Sequence, residues 1–251
     1  MKQALRRQGQ PPGTLKAVLG VHATVCSHRM ENPLRRSACL EHGPSLLCVA
    51  YTSGMQFNRL MFWLFYRFGT PPWEGHPLPE RLRELIEGPS ALPPGKALDV
   101  GCGTGDTSIY LARRAWDVTA FDFMNVALKR ARAKAGAAAV SIRTMQADVT
   151  RLTPSEVGVG FQLIVDNGLL HGLSDAGRDA YVRLVSAIAA PNATLLLAGF
   201  AEKKRRGPRG YDRPEVERRF AAGWELLGHR KDPAISSRPD DPVYVYELRR
   251  R

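Results

Sequence analysis

Cysteine is scarce in this sequence. Cys26, Cys39, Cys48 and Cys102 are the four among 251 residues, and no two of them form a CxxC pair. Neither a zinc site nor a disulfide framework is suggested, no metal is expected, and a reducing cytoplasm is the simplest home. No apolar run approaches the roughly 20 residues that a membrane-crossing helix needs. There is also no internal repeat and no low-complexity tract: the 23 glycines and 18 prolines gather at element boundaries. An apolar share of 44% supports one sizeable core, and the length suits one large domain or, less comfortably, two.

Acidic residues are short at both ends. The net charge is +12, and residues 1–54 hold 7 Lys/Arg against 2 Asp/Glu, residues 201–251 hold 14 against 9, and residues 55–200 hold 15 against 13. The middle is nearly neutral, so the excess reads as solvated flanks before it reads as a nucleic-acid surface. The basic run Lys203–Gly210 has no interleaved aromatics on which bases would stack, and nucleic acid is not the expected partner.

What the sequence does contain is concentrated in Ala97-Leu98-Asp99-Val100-Gly101-Cys102-Gly103-Thr104-Gly105. A short apolar run from Lys96 ends in an acid, then in alternate glycines, and Asp106–Arg114 reads as helix. A strand turning sharply into a helix needs residues tolerant of positive φ and lets a ligand approach bare backbone. The helix start then offers unpaired N–H groups. The pattern predicts a nucleotide-like ligand at the first βα turn of a doubly wound α/β sheet. The dinucleotide fingerprint spaces its third glycine differently, and Asp99 would repel a pyrophosphate while suiting an ammonium group. A nicotinamide-dependent oxidoreductase is disfavoured on both grounds.

An acid followed by Gly-x-Gly-x-Gly resembles the first motif of the class I S-adenosylmethionine-dependent methyltransferases. The following segments fit. Trp116–Asp122 is a strand-like run ending in an acid, Val126–Ala138 is a helix by propensity, and Val140–Asp148 alternates like a strand and again ends in an acid. Phe161–Asp166 is short and apolar as a buried parallel strand should be, and it opens into Asn167-Gly168-Leu169-Leu170-His171. Ala193–Phe200 follows Pro191-Asn192 as a turn, a departure from the Pro-Gly-Gly usual in the family, and Trp224–Gly228 with Val243–Leu248 reads as the closing pair. The resemblance runs from about Thr70 to Leu248. It implies a Rossmann-like, seven-stranded, mostly parallel sheet with an antiparallel closing strand and an N-terminal helical lid.

It also implies a cofactor, S-adenosylmethionine, and an activity, EC 2.1.1.-. Asp99 with Gly101, Cys102, Gly103 and Gly105 would hold the methionine end, and Asp122 with Phe123 the ribose side. Asp148 with Val149 would hold the adenine, and Asp166 would border the site. The Asp-x-Gly-x-x-His pattern, with Arg178 and Tyr181 on the next helix, is similar to the thiopurine methyltransferase-like and quinone methyltransferase-like enzymes. On that likeness the acceptor is a small, aromatic or apolar molecule methylated on O, S or N. Asp166 and His171 are the candidate reacting groups. His171 is either a general base or a structural hydrogen-bonding residue, and an acceptor that ionises unaided needs no base.

Three regions are expected: a disordered or non-native extension over 1–54, with a functional extension as the alternative, a lid over 55–90, and the cofactor-binding domain over 91–251. Residues 55–68 are aromatic on most faces and too short to cross a bilayer. They suit a packed helix, a substrate lid, or peripheral contact with a membrane. The loop Pro71-Pro72-Trp73-Glu74-Gly75-His76-Pro77 resembles the same small-molecule enzymes, where a tryptophan lies by the sulfonium; Trp73 would give it a cation–π face. The competing functions are an RNA or protein methyltransferase using the basic flanks, and a catalytically silent cofactor-binding partner. The acceptor's identity and the oligomeric state are not legible.

Overall fold

The computed structural model describes residues 62–69, 71, 74–202, 208–235 and 242–251, all within one compact unit spanning 53–251. Its strands are β1 (Lys96–Val100), β2 (Asp117–Asp122), β3 (Arg143–Gln146), β4 (Phe161–Asn167), β5 (Ala189–Phe200), β6 (Trp224–Lys231) and β7 (Val243–Arg250). They form one sheet in the order β3-β2-β1-β4-β5-β7-β6. The first five run parallel, and β7 lies antiparallel to both β5 and β6. This is the mostly parallel sheet with a reversed closing strand that the motifs implied.

Helices cover both faces: α1 (62–68), α2 (Glu80–Glu87), α3 (Asp106–Ala112), α4 (Asn125–Ala137), α5 (Pro154–Val157), α6 (Asp175–Ile188) and α7 (Arg213–Phe220). Alternate strand residues feed two cores. Leu98, Ile164, Leu195 and Tyr246 pack with Tyr181, Val185 and Phe220 on one face. Ala97, Leu163, Leu196 and Val245 pack with Leu82 and Leu85 on the other. Strands buried on both sides must be apolar nearly throughout, which is why they read as short continuous runs. Local caps mark the helix starts: the Ser174 hydroxyl accepts from the Gly177 N–H ahead of α6, and Asp212 accepts from the Glu215 N–H ahead of α7.

Several boundaries differ from the sequence reading, among them those of the third and fifth strands. The third strand stops at Gln146, so Asp148 stands beyond its end in a turn of its own. The fifth begins at Ala189, earlier than expected, and its pairing with β4 is irregular between Phe161 and Leu163. Asn192 takes a positive φ of 59° in that stretch. Asparagine is among the few residues besides glycine that visit this region readily, and Pro191-Asn192, expected as a turn ahead of the strand, instead lies within β5.

The order places β1 beside β4, with the crossovers leaving in opposite directions on either side. In such sheets the crevice at the strands' C-terminal ends is the binding place. Among the described residues no helix is long and apolar enough to cross a membrane, and no group of His, Cys, Asp and Glu is arranged to hold a metal.

Candidate functional site

The loop leaving β1 is built on three glycines in the left-handed region: Gly101 at φ 69°, Gly103 at 52° and Gly105 at 85°. Space makes the same demand twice. A Cβ on Gly101 would come within 2.7 Å of Leu169, in the loop after β4, and one on Gly105 within 2.9 Å of Ala131 on α4. The two loops therefore touch across the switch point only because residue 101 is bare. Gly103 opens toward the Tyr66 hydroxyl of α1, 3.2 Å from where a Cβ would stand.

Asp122, at the end of β2, ties this loop down. Its Oδ2 accepts from the Gly103 N–H at 3.0 Å and its Oδ1 from the Met124 N–H at 2.8 Å. One lone pair on each oxygen remains for a pair of vicinal hydroxyls. Asp99 is buried below, accepting from the Ser108 hydroxyl of α3 at 2.5 Å. Burial pushes its carboxyl up to about 7 against the two Ser108 hydrogen bonds, and the neighbouring charges of Asp122 and Asp166 add to the rise. Burial raises Asp122 as well, in spite of its N–H donors. The Cys102 thiol is pushed far up by burial and then by Asp99 and Asp122, which favours its neutral form.

Asp166, one residue before the end of the fourth strand, is fully buried. Oδ1 accepts from the N–H groups of Gly168 (3.0 Å) and Leu169 (2.6 Å), and Oδ2 from that of Leu170 (3.0 Å). Burial still lifts it to about 6. The Tyr181 hydroxyl, also buried, faces this carboxylate without completing a standard hydrogen bond to it. The turn so formed carries His171 in a single turn of 3-10 helix, Leu170–Gly172, and the imidazole stacks on Phe200 at the end of β5, ring centroids 4.9 Å apart and 23° between planes.

Asp148 is half-buried, and its Oδ1 accepts from the N–H and hydroxyl of Thr150. Val149 sends its side chain into the core, leaving its backbone as the part that can meet a ligand. Phe123 is half-buried, packed edge-on against Phe62 of α1 at 5.3 Å. The structure thus gathers Asp99, Gly101, Cys102, Gly103, Gly105, Asp122 and Asp166 at the crevice, puts Phe123 and Asp148 along its β2–β3 side, and sets His171 beyond β4. Trp73, residues 1–61 and the basic run over 203–207 lie outside the described residues.

Sequence reasoning missed several members. Ser108, the partner of Asp99, sits a turn into α3 and looked like any small helical residue. Tyr66 carried a readable signal: in α1 the half-buried or buried Phe62, Phe65 and Tyr66 share one helical face while Trp63, Leu64, Arg67 and Phe68 share the exposed one. Arg130 of α4 anchors the helix by donating to the Tyr66 carbonyl at 2.6 Å. Phe200 was visible only as the last residue of a strand.

A bare glycine loop, a diol-sized acceptor on Asp122 and a buried acid with no cation beside it among the described residues fit S-adenosylmethionine. A methyltransferase-domain family model matches residues 97–192. The chain is an S-adenosylmethionine-dependent methyltransferase. A curated relative, 2-heptyl-1-hydroxyquinolin-4(1H)-one methyltransferase of Mycobacteroides abscessus, is 28% identical over 62% of this methyltransferase and 69% of the relative. An uncharacterised methyltransferase of Mycobacterium bovis is 38% identical over 103 residues, 41% of this chain and about half (49%) of the relative. Among solved structures, 1,6-didemethyltoxoflavin-N1-methyltransferase of Burkholderia thailandensis, with 1,6-didemethyltoxoflavin and S-adenosylhomocysteine bound, has the same fold. It aligns at TM-score 0.63 and 19% identity, covering 83% of this methyltransferase and 91% of that chain.

Proposed function

We propose that this methyltransferase acts on a small, flat, mostly apolar acceptor, transferring the methyl group to an O, S or N atom. The observation that carries the reading is that the crevice is aromatic on both flanks: Tyr66 with Phe62–Phe123 on one side, the stacked His171–Phe200 pair on the other. Walls of that kind sandwich a ring system and leave a polymer little room. The relative that acts on a heptyl-hydroxyquinolone supports the class of acceptor, as does the toxoflavin-precursor enzyme of like fold. The likeness to the thiopurine- and quinone-methylating branch points the same way, and a cytoplasmic setting follows from the cysteine usage.

The bound cofactor supplies a methyl group already activated on a sulfonium, so the protein's work is orientation and exclusion of water. Asp99 and the backbone of Gly101, Cys102, Gly103 and Gly105 take the methionine end. Asp122 takes the ribose hydroxyls, Phe123 flanks the ring, and Asp148 with the Val149 backbone reads the adenine. By the family resemblance alone, Trp73 would give the sulfonium a cation–π face. Asp166, with both oxygens occupied by N–H donors, shapes the turn that presents His171. His171 removes the acceptor's proton where the acceptor is not already ionised.

The test is transfer of a labelled methyl group to 2-heptyl-1-hydroxyquinolin-4(1H)-one and a panel of aromatic thiols, phenols and quinols. Turnover on at least one, lost in His171→Ala for a high-pKa acceptor and retained for a thiol, is expected. Methylation confined to RNA or protein, or cofactor binding without transfer to any acceptor, overturns the proposal. A second reading concerns location. The outward face of α1 exposes Trp63, Leu64 and Phe68 beside Arg67, a composition suited to the surface of a membrane in which an apolar acceptor would dissolve. Co-sedimentation with anionic vesicles, abolished by Trp63→Ser with Phe68→Ser, tests it.

A further inference from the structure

Arg178 of α6 is entirely buried, and its side chain meets the His171–Phe200 flank of the crevice through the His171 backbone. Its guanidinium makes four directed bonds. Nε donates to the Leu173 carbonyl at 3.2 Å, and Nη2 to the carbonyls of His171 (3.1 Å) and Gly210 (2.8 Å). Nη1 donates to Glu215 Oε1 at 2.8 Å. Leu173 and His171 belong to the segment after β4, whereas Gly210 and Glu215 belong to the segment after β5. One planar fork therefore joins the two segments whose side chains meet as the His171–Phe200 stack.

The second segment is held in register by its own contacts. The Tyr211 N–H donates to the Phe200 carbonyl at 3.1 Å, Tyr211 is buried with its ring 5.8 Å from the Arg178 guanidinium carbon, and Gly210 sits at φ 76°, where a Cβ would stand 2.4 Å from the Ala201 carbonyl oxygen. Glu215 is shared: Arg209 at 2.9 Å and Arg219 at 2.7 Å reach the same Oε1, and Asp175 and Asp179 pair with them at the surface. A buried charge with that many partners is costly to arrange for stability alone, since apolar residues of like volume often do as well. What an arginine adds is a fixed geometry across several carbonyls.

We infer that Arg178 is a positioning residue for methyl transfer, fixing the imidazole of His171 against Phe200 by holding the His171 and Gly210 carbonyls on one guanidinium. It acts through His171 and does not itself meet cofactor or acceptor. The inference rests on the reading of the His171–Phe200 pair as the acceptor side of the site, so its test needs no acceptor.

The experiment follows the His171 imidazole protons by NMR in the full chain saturated with S-adenosylhomocysteine, the resonances being assigned by their loss in His171→Gln among the six histidines. Stacking on Phe200 should displace them upfield, and Phe200→Leu should abolish that displacement and so calibrate it. Arg178→Lys keeps the charge but cannot span the carbonyls. It is expected to remove at least half of the displacement while S-adenosylhomocysteine affinity stays within about threefold. Glu215→Gln leaves an acceptor and all three carbonyl bonds in place and should keep the displacement. An unchanged His171 signal in Arg178→Lys, or cofactor-product affinity falling in step with it, overturns the inference. So does loss of the displacement in Glu215→Gln, which would assign the role to the ion pair and stays readable should Arg178→Lys fail to fold. Failure to bind S-adenosylhomocysteine at all would count against the cofactor assignment instead, with the shifts still comparable in the free protein.

Discussion

Two sets of buried acids sit toward the same end of the sheet and titrate in opposite directions. At the β1–β2–β4 crevice, Asp99 is lifted to about 7 and Asp166 to about 6, with Asp122 raised too, because burial outweighs a hydroxyl and a few N–H donors. Behind β5, burial also acts to raise Glu215, but hydrogen bonds from Arg219, Arg178 and Arg209 overwhelm it and hold the group at about 2. The difference is the supply of cations. Glu215 has all it needs from the chain, so its region is complete as folded. Among the described residues the crevice acids pair with no cation, and a ligand with an ammonium group would supply one. Incomplete compensation marks the place where something binds.

The comparison breaks most visibly if Glu215 is removed. Glu215→Leu leaves the Arg178 guanidinium buried without its carboxylate, a change expected to cost about 3–5 kcal/mol. Urea unfolding measures it, and a loss below about 1 kcal/mol would mean that Arg178 is not effectively desolvated.

Next in size is the pH response, where the two regions should differ in sign. A folded carboxyl at about 7 keeps its proton while the unfolded one releases it near 3.8, so through that window the folded state binds more protons. The Asp99 contribution is therefore fully present below pH 4 and lost as pH rises through 7, by up to about 4 kcal/mol in all. Glu215 contributes stability above pH 4.5 that disappears only as pH falls toward 2. Asp99→Asn is expected to flatten the fall in stability of the free protein between pH 4 and 7, and to weaken S-adenosylmethionine binding at pH 8. Thermal scans with and without ligand check both. Binding unaffected by the substitution would remove Asp99 from the ammonium site.

A smaller effect is expected at Asp122. Asp122→Ala removes the acceptor for two hydroxyls and also strands the Gly103 and Met124 N–H groups, so S-adenosylmethionine affinity should fall by about 2–3 kcal/mol. Calorimetry on a variant that keeps its cooperative transition is the measurement. An unchanged affinity would leave Asp122 as a clip for the glycine loop and nothing more.

These two regions were unequally legible in the sequence. The crevice acids stand at the last or next-to-last residue of their strands, and each follows an apolar run within a few residues, so local pattern was enough to find Asp99, Asp122 and Asp166. The glycines announced their own geometry, since positive φ three times in five residues has few alternative explanations. Glu215 and Arg178 stand 37 residues apart and meet through tertiary packing that no periodicity encodes. Arg178 was visible as part of a family pattern and its purpose was not. Asp148 was placed at the end of a strand that the chain actually leaves at Gln146, because alternation of apolar and polar residues continues past the last backbone pairing. Ser108 and Phe200 had no signal at all beyond residue type.

The smallest expected effect lies at Tyr66, and it asks whether α1 belongs to the crevice or merely rests on it. The hydroxyl points at the bare face of Gly103, and the ring packs with Met124 and Ala127. Tyr66→Phe keeps the ring and loses only the hydroxyl, so the helix should stay seated through the ring, the Phe62–Phe123 contact and the Arg130 bond to the Tyr66 carbonyl. If the hydroxyl serves the ligand, stability should shift by less than about 0.5 kcal/mol while S-adenosylmethionine affinity falls by about 1 kcal/mol, the usual worth of one neutral hydrogen bond. If α1 is only a cover, both quantities should stay put in Tyr66→Phe. Phe62→Ala, which removes the edge-on contact with Phe123, should then loosen the helix without touching the glycine loop. The two substitutions separate a helix that binds from a helix that packs, and fluorescence-monitored titration beside thermal melts reads the difference directly.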